Sequence, residues 1–252
     1  GQTPNLVRAV WEPLCIAALN EPIETATATL FAVVVKRALL GGAEDSKILI
    51  SRVGMSDLFP PEIEQLLGMC KSQVITGAQI KKLHFEGDSI QAVETSNGER
   101  HEADHVVSTL PWGVLRGLLP AESQLHRACE RLEDSPIVSL HVWLDRQILD
   151  EPFIGFLDSP VHWVFARDEF ELPSSKEAEA KDPALAEARC YSVVVSGADE
   201  MIHQSSEEIE SLALAEMKRF LPKAKDAKVL HRDAYKSQSA TIATPPEAEN
   251  WR

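Results

Sequence analysis

The chain has 252 residues, 44% of them hydrophobic, and a formal net charge of −14 at pH 7. Its length and apolar content suffice for one large core or two modest ones. The acidic balance argues against nucleic acid as a partner and against an electrostatic grip on anionic lipid, because both require clustered Lys and Arg.

The cysteines, Cys15, Cys70, Cys129 and Cys190, are widely spaced without a C-x-x-C, which predicts reduced thiols rather than a disulfide framework or a zinc ribbon. No apolar run approaches the roughly 18 residues of a spanning helix. The first Met is Met55, and Trp251-Arg252 follow a Pro-Pro-Glu loop, so the chain reads as an internal piece of a longer protein.

Thr3-Pro4 is a helix start, with Thr as N-cap and Pro at the first helical position. Val7, Val10, Trp11, Leu14, Cys15 and Ala18 then share one helical face, and Pro13 inside that pattern predicts a kink or break. A second helix is expected over 25–40, closed by Gly41-Gly42, and a third over 58–67. From 74 to 111 the period changes to two. Ile80 and Leu83 open a meander, Gly87-Asp88 turns it, Ile90 to Val93 continues it, and Asn97-Gly98 predicts a type I′ hairpin turn. His105 to Ser108 reads as a last, buried strand ending at Thr109-Leu110-Pro111. Short helices are expected over 112–119 and 122–132, then strands over 137–144, 153–157 and 162–166. The stretch 167–189 is acidic, Ala-rich and aperiodic, and reads as a mobile surface excursion. A buried strand over 190–196 follows. Ser205-x-x-Glu208 is a capping box opening a helix to Phe220, and 228–235 closes with a strand.

Searches for self-contained chemistry return little. The twelve glycines contain no G-x-G, which removes a dinucleotide fingerprint and a P-loop from these residues. No G-x-S-x-G occurs, and the H-E-x-x-H spacing of His101 to His105 falls in a strand-like hairpin rather than on a helix, where a metal site needs it. His101 and His105 lie in a strand-like hairpin among carboxylates and read as exposed polar residues, so no metal site is expected.

Five strings carry a resemblance: WEPLCIAALNEP, LLGGAEDSKILISRVGMSDLFP, STLPWGVLRGLLP, SPIVSLHVWLDRQILDEPFIGFLDSPVHWVF and VVSGADEMI. They resemble the squalene-associated FAD-dependent desaturases, better named hydroxysqualene dehydroxylases, within the phytoene desaturase and flavin amine oxidase superfamily. The resemblance spans nearly the whole chain apart from 168–189. It implies an α+β to α/β architecture, the central part of a two-domain fold. Residues 1–52 and 121–252 correspond to a substrate domain of antiparallel sheet and helices, and 53–120 to an FAD-domain segment with a β-meander. It implies FAD as cofactor, although the G-x-G-x-x-G that seats the pyrophosphate is absent here.

Carried over by position, Ile80 matches the family's backbone contact to adenine, and Thr109 and Pro111 match the segment returning toward the cofactor. The implied substrate is a long isoprenoid lipid. Trp143, Phe156, Trp163 and Phe165 are candidates to line its cavity, and His162 and Asp158 are candidates to assist hydroxyl departure. The implied reaction is reductive dehydroxylation of hydroxysqualene to squalene, as in hopanoid synthesis, with catalytic residues unassigned. A carotenoid-type desaturase and a non-catalytic isoprenoid-binding module are the alternatives. An insoluble substrate implies a cytoplasmic enzyme with peripheral contact at the inner membrane face.

Overall fold

A computed structural model describes residues 1–51, 53, 58, 62–167, 185 and 187–246. The acidic stretch over 168–184 lies outside them. The described chain divides into two units, Gly1–Phe59 with Glu133–Glu249 and Pro60–Leu132 with Asn250–Arg252. These divisions fall after 59 and after 132, where the sequence reading drew them after 52 and after 120.

The larger unit is built on a five-stranded antiparallel sheet. Its strands are β4 (Asp134–Leu144), β5 (Phe153–Gly155), β6 (Trp163–Ala166), β7 (Arg189–Ser196) and β8 (Val229–Ile242), in the order β5-β6-β7-β4-β8. Alternation in β4 sends Val138, Leu140, Val142 and Leu144 to one face. There they meet Val164, Tyr191 and Val193 and one side of α7 (Ser206–Phe220), whose Ile209, Ala213 and Met217 are buried. Helix α7 starts where the capping box predicts. Ser205 Oγ accepts from the Glu208 N–H at 3.2 Å, and the Glu208 carboxylate accepts from the Ser205 N–H at 2.8 Å. Inside this core the Tyr191 hydroxyl accepts from the Ile148 N–H at 2.8 Å, which gives an irregular segment a partner for a buried donor.

The N-terminal helices of the same unit show how Pro13 is accommodated. Helix α1 (Pro4–Leu6) passes into a π-helical turn, Val7–Trp11, and then into α2 (Glu12–Leu19), with Pro13 at the head of α2. The wider turn places the missing N–H and the bulky ring where no α-helical ladder bond is broken, so the chain stays helical through the proline. Helix α2 ends on Asn20, a left-handed cap with φ 58°. Helix α3 (Ala28–Leu39) follows, and Phe31 meets Trp11 edge-on at 6.3 Å between centroids.

Asn20 is the polar centre of this unit. Its amide nitrogen donates to Ser135 Oγ at 2.8 Å and Thr241 Oγ1 at 2.9 Å, and its Oδ1 accepts from the Gly197 N–H at 2.7 Å. Ser135 Oγ in turn donates to the Asn20 carbonyl at 2.6 Å. One 5% exposed side chain therefore joins α2, β4, β8 and the turn after β7.

The smaller unit holds α4 (Glu62–Met69), the meander β1 (Ile80–Glu86), β2 (Ser89–Thr95) and β3 (Arg100–Glu102), then α5 (Trp112–Leu118) and α6 (Gln124–Glu130). Gly87-Asp88 makes a two-residue turn with positive φ at the glycine only. The Asn97-Gly98 hairpin differs from the expected type I′. Only Gly98 has positive φ, the Gly98 N–H donates to the Thr95 carbonyl at 3.0 Å, and Asn97 Oδ1 accepts from the Glu99 N–H at 3.1 Å. This is a type I turn followed by a left-handed glycine, the three-residue hairpin loop, and the asparagine carboxamide replaces the second positive φ as the stabilising device. His105 to Ser108 is not a strand, and Val107 is 89% exposed. An apolar run forms a strand only with a ladder partner, and the described residues supply none here.

Candidate functional site

The face of the five-stranded sheet opposite α7 carries most of the candidate aromatic residues. Register sets its side chains out in rows that cross every strand. Gly155, Trp163, Val194, Ser139 and Tyr235 form one row, and Phe153, Phe165, Ser192, His141 and Asp233 form the next. Cys190, Trp143 and His231 lie in a third. The β5–β6 side is aromatic and the β7–β4–β8 side polar.

On the aromatic side Phe153 stacks on Phe165 at 5.5 Å and 28°, and meets Trp163 at 6.0 Å. Gly155 is a glycine by necessity, because a Cβ there would stand 2.9 Å from the Trp163 ring lying over it. Trp143 packs with Leu185, Ala188 and Cys190, meets His231 at 5.1 Å, and keeps a buried Nε1–H without a hydrogen-bond partner among the described residues. Trp143, Trp163 and Phe165 thus share one sheet face. Phe156 differs: its ring stacks on Phe220 at 4.5 Å in the core. It reaches Trp163 only along the wall of a cavity of about 410 Å³, which Arg8, Glu12, Ile16 and Ser159 also line.

On the polar side Arg167 Nη1 donates to Ser192 Oγ at 3.2 Å, and Ser192 Oγ lies 2.7 Å from His141 Nδ1. The His141 ring tilts against Tyr235 at 5.1 Å, and the Tyr235 hydroxyl donates to Asp233 at 2.7 Å. Burial pushes the His141 pKa down, the Arg167 cation pushes it further down, and Asp233 opposes both. This trio of Arg167, Ser192 and His141 is what sequence reasoning missed. Its one sequence signal was the polar pair Ser139 and His141 at alternate positions inside an apolar strand.

His162 and Asp158 line the same cavity, and each already has a partner in the fold. His162 Nδ1 accepts from the Ser196 N–H at 3.1 Å, burial pushes its pKa down, and Asp158 is ion-paired with Arg8. Two imidazoles held neutral in the fold give stability a definite pH dependence. The unfolded chain, with ordinary histidines near pKa 6.5, binds the extra protons first, so stability falls as pH drops through that value and levels off below the folded pKa values. Urea midpoints are expected to decrease between about pH 7.5 and about pH 5.5, and His141→Gln to remove part of that slope.

In the smaller unit Ile80 is half-buried at the start of the edge strand β1. The Gln79 carbonyl accepts from the Ser96 N–H at 2.8 Å on the β2 side, so strand alternation turns the Ile80 N–H and C=O to the outer edge. Thr109 and Pro111 are exposed, and Pro111 occupies the N-cap position of α5. His101 lies on β3 and His105 in the exposed loop beyond it. Among the described residues no group of three His, Cys, Asp or Glu is placed to hold a metal ion.

Residues 24–251 match a family model described as flavin containing amine oxidoreductase. The chain belongs to that family. Among curated relatives of this flavin amine oxidoreductase chain, the 15-cis-phytoene desaturase of Synechococcus elongatus is 26% identical over 159 residues, 59% of this chain and 32% of that protein. The hydroxysqualene dehydroxylase of Sinorhizobium fredii is 25% identical over 163 residues, 64% of this chain and 38% of the other. A solved putrescine oxidase variant superposes with a TM-score of 0.66 at 16% identity, over 93% of this chain and 51% of that one. The chain spans about a third of the length of these curated relatives. The fold is the mixed helix and antiparallel-sheet architecture of the amine oxidases.

The flavin this family implies fits these residues only in part. Among the described residues the positive-φ glycines, Gly77, Gly87, Gly98 and Gly197, all stand in turns or loops, and none heads a helix as a pyrophosphate cradle requires. What the chain offers is the outward backbone edge at Ile80 and an aromatic sheet face.

Proposed function

We propose that this chain is part of an FAD-dependent oxidoreductase acting on a long isoprenoid, and that the reaction is reductive dehydroxylation of hydroxysqualene to squalene. The observation that supports this reading is the aromatic face: Trp163, Phe165 and Trp143 on one side of the sheet, beside a small polar group. A hydrocarbon chain needs apolar area with few polar anchors. Loss of the hydroxyl, as water once a proton is added, leaves an allylic cation, and aromatic faces stabilise a cation in a dry site. Reduced FAD, when bound, would supply the hydride for this chemistry. In this reading 60–132 is the flavin-side unit, where Ile80 offers backbone to adenine and Thr109 and Pro111 return the chain toward the cofactor. The sheet unit receives the substrate, and an insoluble substrate brings the protein to a membrane surface. No helix among the described residues is long and apolar enough to cross a membrane.

Desaturation of a phytoene-type carotenoid is the second reading, favoured by the 26% identity to a phytoene desaturase. Anaerobic incubation of the FAD-loaded protein with hydroxysqualene and a flavin reductant, followed by mass spectrometry, is expected to yield squalene. Turnover of phytoene with an electron acceptor, and none of hydroxysqualene, transfers the assignment to the second reading. Turnover of neither overturns both.

A further inference from the structure

Polar side chains gather on the β7–β4–β8 side of this sheet face, and the one near its centre has ladder partners on both sides. His141 lies on β4, between its cross-strand neighbours Ser192 on β7 and Asp233 on β8. Ser192 is buried and its oxygen accepts from Arg167. Ser192 Oγ lies 2.7 Å from His141 Nδ1, and this buried hydroxyl has no other acceptor among the described residues, so its proton is satisfied by donation to that nitrogen. Arg167 has only donors, and a serine that donates to the ring makes the bonds run from guanidinium to hydroxyl to imidazole. A neutral imidazole that accepts at Nδ1 carries its proton on Nε2. That Nε2 has no hydrogen-bond partner among the described residues, while the neighbouring ring surfaces are those of Tyr235 and Trp143. Burial and the Arg167 charge both favour the neutral ring.

We propose that Arg167 and Ser192 lock His141 in the Nε2–H tautomer, and that this N–H is the recognition donor for the single oxygen of an otherwise hydrocarbon ligand. The proposal rests on the reading that this face receives the isoprenoid, and it names what selects an oxygenated one. A hydroxyl placed on His141 gains a directed hydrogen bond, whereas a pure hydrocarbon covers the N–H without satisfying it. Discrimination against the hydrocarbon therefore comes from an unpaired donor. His141 is a binding residue here, and Arg167 and Ser192 are positioning residues.

The test compares hydroxysqualene and squalene as ligands of the FAD-loaded protein, by competition for the same site. Wild-type protein is expected to prefer hydroxysqualene, and His141→Phe to lose about tenfold of that preference with squalene affinity unchanged. His141→Gln keeps a donor near the same position and is expected to retain most of the preference, which separates recognition from a folding defect. Long-range ¹H–¹⁵N spectra are expected to show Nε2–H as the main tautomer of His141 near neutral pH, and a tautomer mixture in Ser192→Ala. An unchanged preference in His141→Phe, or an Nδ1–H tautomer in the wild type, overturns the proposal. Preferential binding of hydroxysqualene without turnover leaves it standing while the proposed reaction fails.

Discussion

Replacing Asn20 with alanine is expected to destabilise the larger unit by about 3 kcal/mol, through three hydrogen bonds lost at one junction and a left-handed backbone imposed on alanine. The Gly197 N–H loses its acceptor and Thr241 Oγ1 its donor, both half-buried, while the buried Ser135 Oγ loses the amide but keeps its own bond to the Asn20 carbonyl. Each orphaned group costs on the order of 1–3 kcal/mol, and a non-glycine residue in the left-handed region about 1–2 more, partly offset by relaxation. Total stabilities are on the order of 5–15 kcal/mol, so such a loss places the variant near the edge of folding. Asn20→Gly relieves the backbone strain but not the orphaned groups, and is expected to recover only about 1 kcal/mol relative to alanine. Urea unfolding of the two variants measures both parts. A loss below about 1 kcal/mol in Asn20→Ala removes the side chain's claim to be the hub.

Phe165→Leu is expected to lower kcat for hydroxysqualene on the order of tenfold, with KM little changed. Leucine keeps most of the apolar area that holds the hydrocarbon, so ground-state binding persists. What it removes is the ring face, whose attraction for a developing cation exists only near the transition state. Trp163→Leu is expected to act in the same direction, with an added structural effect because its indole covers Gly155. Steady-state kinetics on the FAD-loaded protein decide the matter. A rise in KM with unchanged kcat makes these rings part of a hydrophobic wall and ends their role as cation stabilisers.

Much of the fold was legible because the relevant signals are local. The capping box at Ser205 and Glu208, the strand at 190–196 and the alternation over 137–144 each depend on residues within one or two turns, and each stands where the sequence put it. Misreadings arose where the deciding partner is distant or subtle. His105 to Ser108 has the composition of a strand but no ladder partner among the described residues, and Asn97 uses its carboxamide rather than its backbone to make the turn. Pro13 reads as a break, yet a π-turn absorbs it.

The candidate site divides the same way. Sequence alone was enough to determine the aromatic content of the sheet, the absence of a phosphate-binding glycine loop and the helix and strand periodicities, because these are properties of short stretches. Only the tertiary structure decided which aromatics stand together. Strand register puts Trp163, Phe165 and Trp143 on one face and turns the Phe156 ring into the core against Phe220. It also assembles Arg167, Ser192 and His141 across three adjacent strand segments separated by up to 51 positions. Cross-strand neighbours are fixed by backbone ladders between remote segments, and a one-residue slip would invert every one of them. No local pattern encodes that choice.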